Sequence, residues 1–252
     1  MKKFWSFKAS GKSAELYIYG EIASSTWYGD EVTPVEFQKE LAALGDVETI
    51  DVYINSPGGD AFAGITIYNL LKRHKAKIVT HNDALAASAA SVIFEAGDIR
   101  VCAQNSVTMV HFALTCACGN KADLRKVADV LETFDEQLVQ IYADRTGLQN
   151  EEVRSMLEAE TWMSCEEAKE KGFADEIEEN KQIAACVETE IIARYKHPPE
   201  TLANTEPPQG GFSLPDETDN GGASQPVEDN ATALAAQKDR FTRTKIKQHG
   251  GN

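Results

Sequence analysis

A layered α/β domain with substantial parallel strand pairing is the fold class this sequence predicts, and three observations predict it. Short β-branched runs alternate with apolar stripes at helical spacing between residues 15 and 111, the pattern of a sheet covered by helices. Gly, Pro, Asn and Asp collect at the junctions between them. The residues best suited to chemistry, Gly58-Gly59, Ser88 and His111, fall at the C-terminal ends of strands, where sites in such sheets gather.

Residues 15–19, Glu-Leu-Tyr-Ile-Tyr, form a strand that ends at Gly20. Thr33-Pro34-Val35-Glu36 joins an N-cap, a proline at N1 and a glutamate at N3, a strong helix start. Phe37, Leu41 and Leu44 continue that helix as one apolar stripe, and residues 49–54 alternate as a half-buried strand. Asn55-Ser56-Pro57-Gly58-Gly59-Asp60 then turns into a helix carrying Phe62, Ile65, Leu70 and Leu71. A glycine pair admits positive φ and leaves its amides uncovered. Such a turn serves either as a plain reversal or as an N–H donor to an oxyanion or an extended peptide.

Residues 77–81 are the next strand, followed by a stretch of small side chains, Asp83 to Ser91, and a helix to Ala96. Of its two serines, Ser88 stands at the helix start, beside free N–H groups and the positive dipole end. That position suits a nucleophile whose neighbouring amides hold an oxyanion. It suits equally a small-residue helix packed tightly on its neighbour. Residues 99–102 and 106–111 are further strands, and His111 closes the second. Taken alone, His111 is either a base or a satisfied core histidine.

The longest helix runs from Lys121 to Arg145, with Leu124, Val127, Leu131, Phe134, Leu138 and Ile141 in one stripe. A stripe so regular is a core face or a seam between subunits. Gly147 ends it, Asn150 caps a short helix with Val153 and Leu157, and Ser164-Cys165-Glu166-Glu167 is a capping box before Gly172. Residues 173–177 are the last strand of a domain spanning 1–180. Residues 181–196 form an extension of uncertain structure, with a weak strand or helix at 183–195. Residues 197–252 hold six of the eight prolines, a composition that predicts a disordered tail. Its end, residues 238–247, is basic, either a solvated tail or a docking segment for an acidic or capsid-type partner.

The formal net charge of −15 argues against nucleic-acid binding. No apolar run is long enough to span a membrane, and the basic start at Met1-Lys2-Lys3 lacks the apolar stretch of a signal peptide. Five cysteines without a Cys-x-x-Cys pair read as reduced thiols of the cytoplasm, with no metal site. No phosphate-cradling motif occurs, so no nucleotide and no other cofactor is expected.

Tyr53-Ile54-Asn55-Ser56-Pro57-Gly58-Gly59, Ala86-Ala87-Ser88 and Met109-Val110-His111, in that order, resemble the proteolytic subunits of the Clp protease family. The likeness covers residues 14–178 and is greatest to the phage and prophage branch, the ClpP-like head maturation proteases, through Asp60-Ala61-Phe62-Ala63-Gly64-Ile65 and Glu160-Thr161-Trp162-Met163-Ser164. The resemblance implies a ClpP/crotonase-like layered fold of repeated ββα-type units with a long protruding helix. It implies Ser88 as nucleophile, His111 as general base and Glu160 as the acid, where the family has Asp. It also implies Gly59 and Ala89 as the oxyanion-hole amides, and substrate binding along Gly58 and Phe112. Two further departures are Ala84 in place of a glycine, and Phe112-Ala113-Leu114 where a proline is common.

The expected function is that of a serine endopeptidase acting on polypeptide, a head maturation protease cleaving scaffold or capsid-assembly proteins in the host cytoplasm. The resemblance further implies homo-oligomeric rings, heptameric in the housekeeping branch. Two alternatives stand beside it: a bacterial proteolytic subunit served by a separate ATPase, and an inactive subunit kept for assembly.

Overall fold

The computed structural model describes residues 3–23, 34–179 and 195–198. The Thr33 cap, Cys186, most of the element at 183–195 and nearly all of the Pro- and Gly-rich tail lie outside the described residues.

Eight strands form one sheet in the order β1-β2-β3-β4-β5-β8, with β6 paired to β4 and β7 paired to β6. β1 (Trp5–Ser10) is antiparallel to β2 (Ser13–Tyr19). Parallel pairing then joins β2 to β3 (Thr49–Ser56), β3 to β4 (Lys77–Ala87), and β4 to β5 (Ile99–Ala103). The helices α1 (Pro34–Ala43), α2 (Ala61–Lys72) and α3 (Ala89–Phe94) alternate with these strands. β6 (Val107–Val110), α4 (Lys121–Thr146), α5 (Asn150–Glu158), β7 (Thr161–Ser164), α6 (Cys165–Glu170) and β8 (Glu176–Glu178) complete the domain. The layered α/β class is the observed one.

The alternation read from the sequence sorts the two faces of the sheet. Leu16, Ile18, Val52 and Ile54 are fully buried in the main core with Phe37 and Ile67. On the other face the in-register residues Tyr17, Tyr53 and His81 stack, with ring centroids 5.0 and 4.7 Å apart. His81 also lies 3.3 Å from Asp51, which accounts for a histidine with no place in the site.

The structure departs from the sequence reading at several elements. The strand expected at 77–81 continues to Ala87, because β4 changes partner: residues 79–82 pair with β5 and residues 85–87 with β6. The register against β3 shifts between Ile54 and Ser56, a bulge that bends the strand toward its second neighbour. Phe62, expected on the apolar stripe of its helix, is 67% exposed, while Ala63, Gly64, Ile67 and Leu71 form the buried face of α2. β1 and β7 have no counterpart in the sequence reading.

The small residues around Ser88 do serve close packing. A Cβ on Gly64 would stand 2.9 Å from Ala89 Cβ, so α2 and α3 touch backbone to backbone. Below α3 the buried Glu95 carboxylate meets Arg100 at 2.6 Å, and Arg100 also holds Asp175 at 2.8 Å. Burial pushes the Glu95 carboxyl up, to about 7, against the pull of Arg100.

Candidate active site

β6 brings the three chemically expected residues to one end of the sheet. It runs parallel to β4 with Ala87 opposite Met109, and the Ser88 N–H donates to the Met109 carbonyl at 2.9 Å. It runs antiparallel to β7 with Val110 opposite Thr161. The C-terminal ends of β4 and β6 and the N-terminal end of β7 therefore coincide. Ser88, His111 and Glu160 are the residues that leave those ends.

Ser88 occupies φ +53°, ψ −124°, a region that L side chains rarely adopt and that costs on the order of 1–3 kcal/mol. The turn is held from several sides. Ser91 Oγ donates to the Ser88 carbonyl at 2.6 Å and lies 2.7 Å from the hydroxyl of the buried Tyr142 on α4. A Cβ on Gly58 would meet the Ala87 carbonyl oxygen at 2.6 Å and Ser88 Cβ at 2.8 Å, so only glycine lets the two turns face each other so closely.

Ser88 Oγ lies 2.8 Å from His111 Nε2. With the ring proton on Nδ1, the serine hydroxyl donates to Nε2, the geometry in which an imidazole can take that proton. Burial pushes the His111 pKa down; the nearby Glu160 opposes this and Lys196 adds to it. The balance favours the neutral form of the imidazole.

Gly59, Ala89, Ser88 and His111 all border one cleft of about 580 Å³. Gly58 is fully engaged, its N–H donating to Ser56 Oγ at 3.1 Å and its carbonyl accepting from the Ile22 N–H at 2.8 Å. Among the described residues, the Gly59 and Ala89 N–H groups have no acceptor. Phe112 differs from expectation. Its side chain packs on the main core and its N–H donates to the Leu157 carbonyl at 3.2 Å, whereas Ala113 and Leu114 border the cleft. The Ala113 N–H is in turn fixed by Asp135 of α4 at 2.9 Å.

Glu160 comes to the expected place but makes unexpected bonds. It shares with Ser88 a left-handed backbone, φ +52°, and is 5% exposed. Its Oε1 accepts from the His197 N–H at 2.7 Å and from the Trp162 indole at 3.4 Å, and its Oε2 accepts from the Lys196 N–H at 3.0 Å. Among the described residues no hydrogen bond joins it to His111. Burial alone would push the Glu160 carboxyl up; the Lys196 and His197 amides, the Trp162 indole and the His111 ring outweigh it and hold the acid below its ordinary range.

Sequence reading missed Tyr195, Lys196, His197, Trp162 and Tyr142. The one signal that pointed to the first three was a tyrosine between Ile191-Ile192-Ala193 and Pro198-Pro199, at the start of the Pro-rich segment. The apolar stripe on the N-terminal half of α4 reads from the sequence as core or seam. Instead Val127, Leu131 and Phe134 wall the cleft, and Leu124 and Val130 are 45% and 61% exposed.

The Clp protease family profile matches residues 30–181. The ATP-dependent Clp protease proteolytic subunit of Bacteroides fragilis is 33% identical over 153 residues, which is 59% of this chain and 74% of that protein. The subunit of the same name from Deinococcus radiodurans is 33% identical over 156 residues, 58% of this chain and 76% of its own length. A ClpP1 variant from Listeria monocytogenes matches in structure with a TM-score of 0.58 at 26% identity, covering 66% of this chain and 92% of that one. The matched stretch takes in the Ser88 turn, the β6 strand and Glu160 together, and the chain belongs to the Clp protease family of serine peptidases.

Proposed function

We propose that this chain is a serine endopeptidase in which Ser88 attacks, His111 moves the proton and Glu160 serves as the acid. The observation that carries the reading is the 2.8 Å approach of Ser88 Oγ to His111 Nε2 at a backbone turn open to the cleft. In the proposed reaction His111 takes the hydroxyl proton as Oγ bonds to the scissile carbonyl carbon. The oxyanion forms beside the Gly59 and Ala89 amides. His111 then gives the proton to the leaving amine, leaving an acyl-serine that water, activated by the same imidazole, hydrolyses. An extended polypeptide bound beside the Gly58-Gly59 turn fits the apolar walls that α4 supplies.

A ring assembly belongs to the same proposal. Its support is the apolar side chains Phe62, Leu124 and Val130, 67%, 45% and 61% exposed, which an assembly would cover. The head-maturation substrate is the finer proposal, supported by the motif likeness and the Pro-rich, basic-ended tail. The likeness to bacterial ATP-dependent Clp proteolytic subunits favours a second reading, a proteolytic subunit paired with an ATPase. No helix among the described residues is long and apolar enough to cross a membrane, and a cytoplasmic site of action is proposed with the rest.

The test is modification by a fluorophosphonate, followed by cleavage of an unfolded protein such as casein. Wild type is expected to be modified at Ser88 and to cut casein, and Ser88→Ala to do neither. Full-chain protein that is assembled yet neither modified nor active would leave the inactive assembly subunit as the correct reading.

A further inference from the structure

Tyr195-Lys196-His197 lies on the acid side of the site although Lys196 and His197 are 36 and 37 residues beyond Glu160. Consecutive backbone N–H groups take one oxygen each of the Glu160 carboxylate, at 3.0 and 2.7 Å, the way a turn of backbone grips an anion. The Tyr195 hydroxyl donates to the Pro57 carbonyl next to Gly58. Its ring stands edge-on to His111 at 5.5 Å and to Trp162 at 5.6 Å, and forms part of the cleft wall. Pro198 follows directly, which disfavours a helical backbone at His197.

The consequence falls on His111. A carboxylate offers about four lone-pair sites, and three of those on Glu160 already accept N–H donors, none from the imidazole. Orienting the ring and stabilising the imidazolium is the acid's task in a Ser-His-acid site. The strap also covers one side of the ring with Tyr195 and places the Lys196 charge near it. Each of these effects works against a protonated His111.

We propose that Glu160, Trp162 and Pro57 form a binding site for this chain's own Tyr195-Lys196-His197 segment, which competes with His111 for the Glu160 carboxylate. With the segment docked, the acid is anchored on its amides. With the segment released, the carboxylate is free to accept the His111 Nδ1 proton. The competition rests on the peptidase reading above; the docking itself does not.

The experiment uses the full chain as wild type, Tyr195→Ala, His197→Pro and Glu160→Ala. His197→Pro deletes one donating N–H and leaves Ser88, His111 and Glu160 in place. Hydrogen exchange of the Lys196 amide reports docking, and the rate of Ser88 modification by a fluorophosphonate reports competition. The Lys196 amide is expected to exchange about tenfold more slowly than free chain in wild type and at the free rate in Glu160→Ala. His197→Pro should modify Ser88 about tenfold faster, the worth of one charge-assisted hydrogen bond, and Tyr195→Ala should raise the rate in the same direction. Free-chain exchange in folded wild type overturns the docking. A protected amide with unchanged modification rates overturns the competition. A protected amide with no modification of any form supports the docking and overturns the peptidase reading instead.

Discussion

Ser88 and Glu160 are the two non-glycine residues in the described chain whose backbone is left-handed, at φ +53° and +52°, and they flank the same imidazole. One leaves the end of β4 and the other enters β7, and β6 between them carries His111. Backbone of this kind persists only where the surroundings over-determine it. Here the Ser91 and Tyr142 hydroxyls secure one residue, and the Trp162 indole and two strap amides secure the other.

The pH dependence of Ser88 modification should follow His111. The reactive form needs a neutral imidazole, and burial lowers its pKa from the ordinary 6.5. The rate is therefore expected to fall with a midpoint below about 6.5 as pH drops. The same group links to stability. Between its lowered folded pKa and the unfolded value, the unfolded chain binds more protons than the native one, so stability rises with pH across that window. A rate that halves above pH 7, measured with a non-ionising phosphonate, would contradict this environment for His111.

Gly58 should tolerate no side chain. Gly58→Ala sets a Cβ 2.6 Å from the Ala87 carbonyl oxygen at φ +92°, and both effects act on the Ser88 turn itself. Thermal unfolding is expected to show a loss of at least about 1–3 kcal/mol, with modification of Ser88 nearly abolished. Gly11→Ala is the control: it also has positive φ, but nothing stands within 4 Å of its Cβ. It should cost stability alone and leave the modification rate unchanged.

Much of this site was legible in the sequence because it lies at strand ends. Alternation placed β2, β3 and the start of β4, and two turn-rich junctions then put Gly58-Gly59 and Ser88 on one edge. What stayed illegible depends on contacts between distant segments. The last six residues of β4 look like a turn by composition, and only the change of partner from β5 to β6 makes them a strand. Phe112 looks exposed on the substrate side, yet the Leu157 carbonyl captures its N–H and turns its ring into the core. Tyr195 ends a stretch that reads only weakly as a strand or helix, and its partners, Pro57, His111 and Trp162, come from three separate parts of the chain.

Ser91 repeats the Ala-Ala-Ser context of Ser88 but is fully buried, with its hydroxyl on the Ser88 carbonyl. Ser91→Ala should keep a modifiable Ser88, at a reduced rate. Tyr142→Phe removes the other hydroxyl of the chain and should cost about 1 kcal/mol in denaturant unfolding, the worth of one buried hydrogen bond. Equal label on Ser91 and Ser88 in wild type, read by peptide mass, would remove the distinction between them.

Helix α4 divides by exposure into a buried C-terminal half and a more exposed N-terminal half. Its C-terminal half buries Leu138, Val139, Tyr142 and Ala143, so a charge there should unfold the subunit. Leu124, 45% exposed and away from the cleft, and Leu131, which borders it, are the informative positions. Leu124→Asp should leave the far-ultraviolet circular dichroism and melting temperature near those of wild type while lowering the mass seen in sedimentation. Leu131→Asp places a charge on the apolar wall and should raise KM for an unstructured peptide with kcat less affected, the signature of lost ground-state binding. If Leu124→Asp sediments as wild type does, the exposed stripe is no subunit seam. If it unfolds, that half of α4 is core after all.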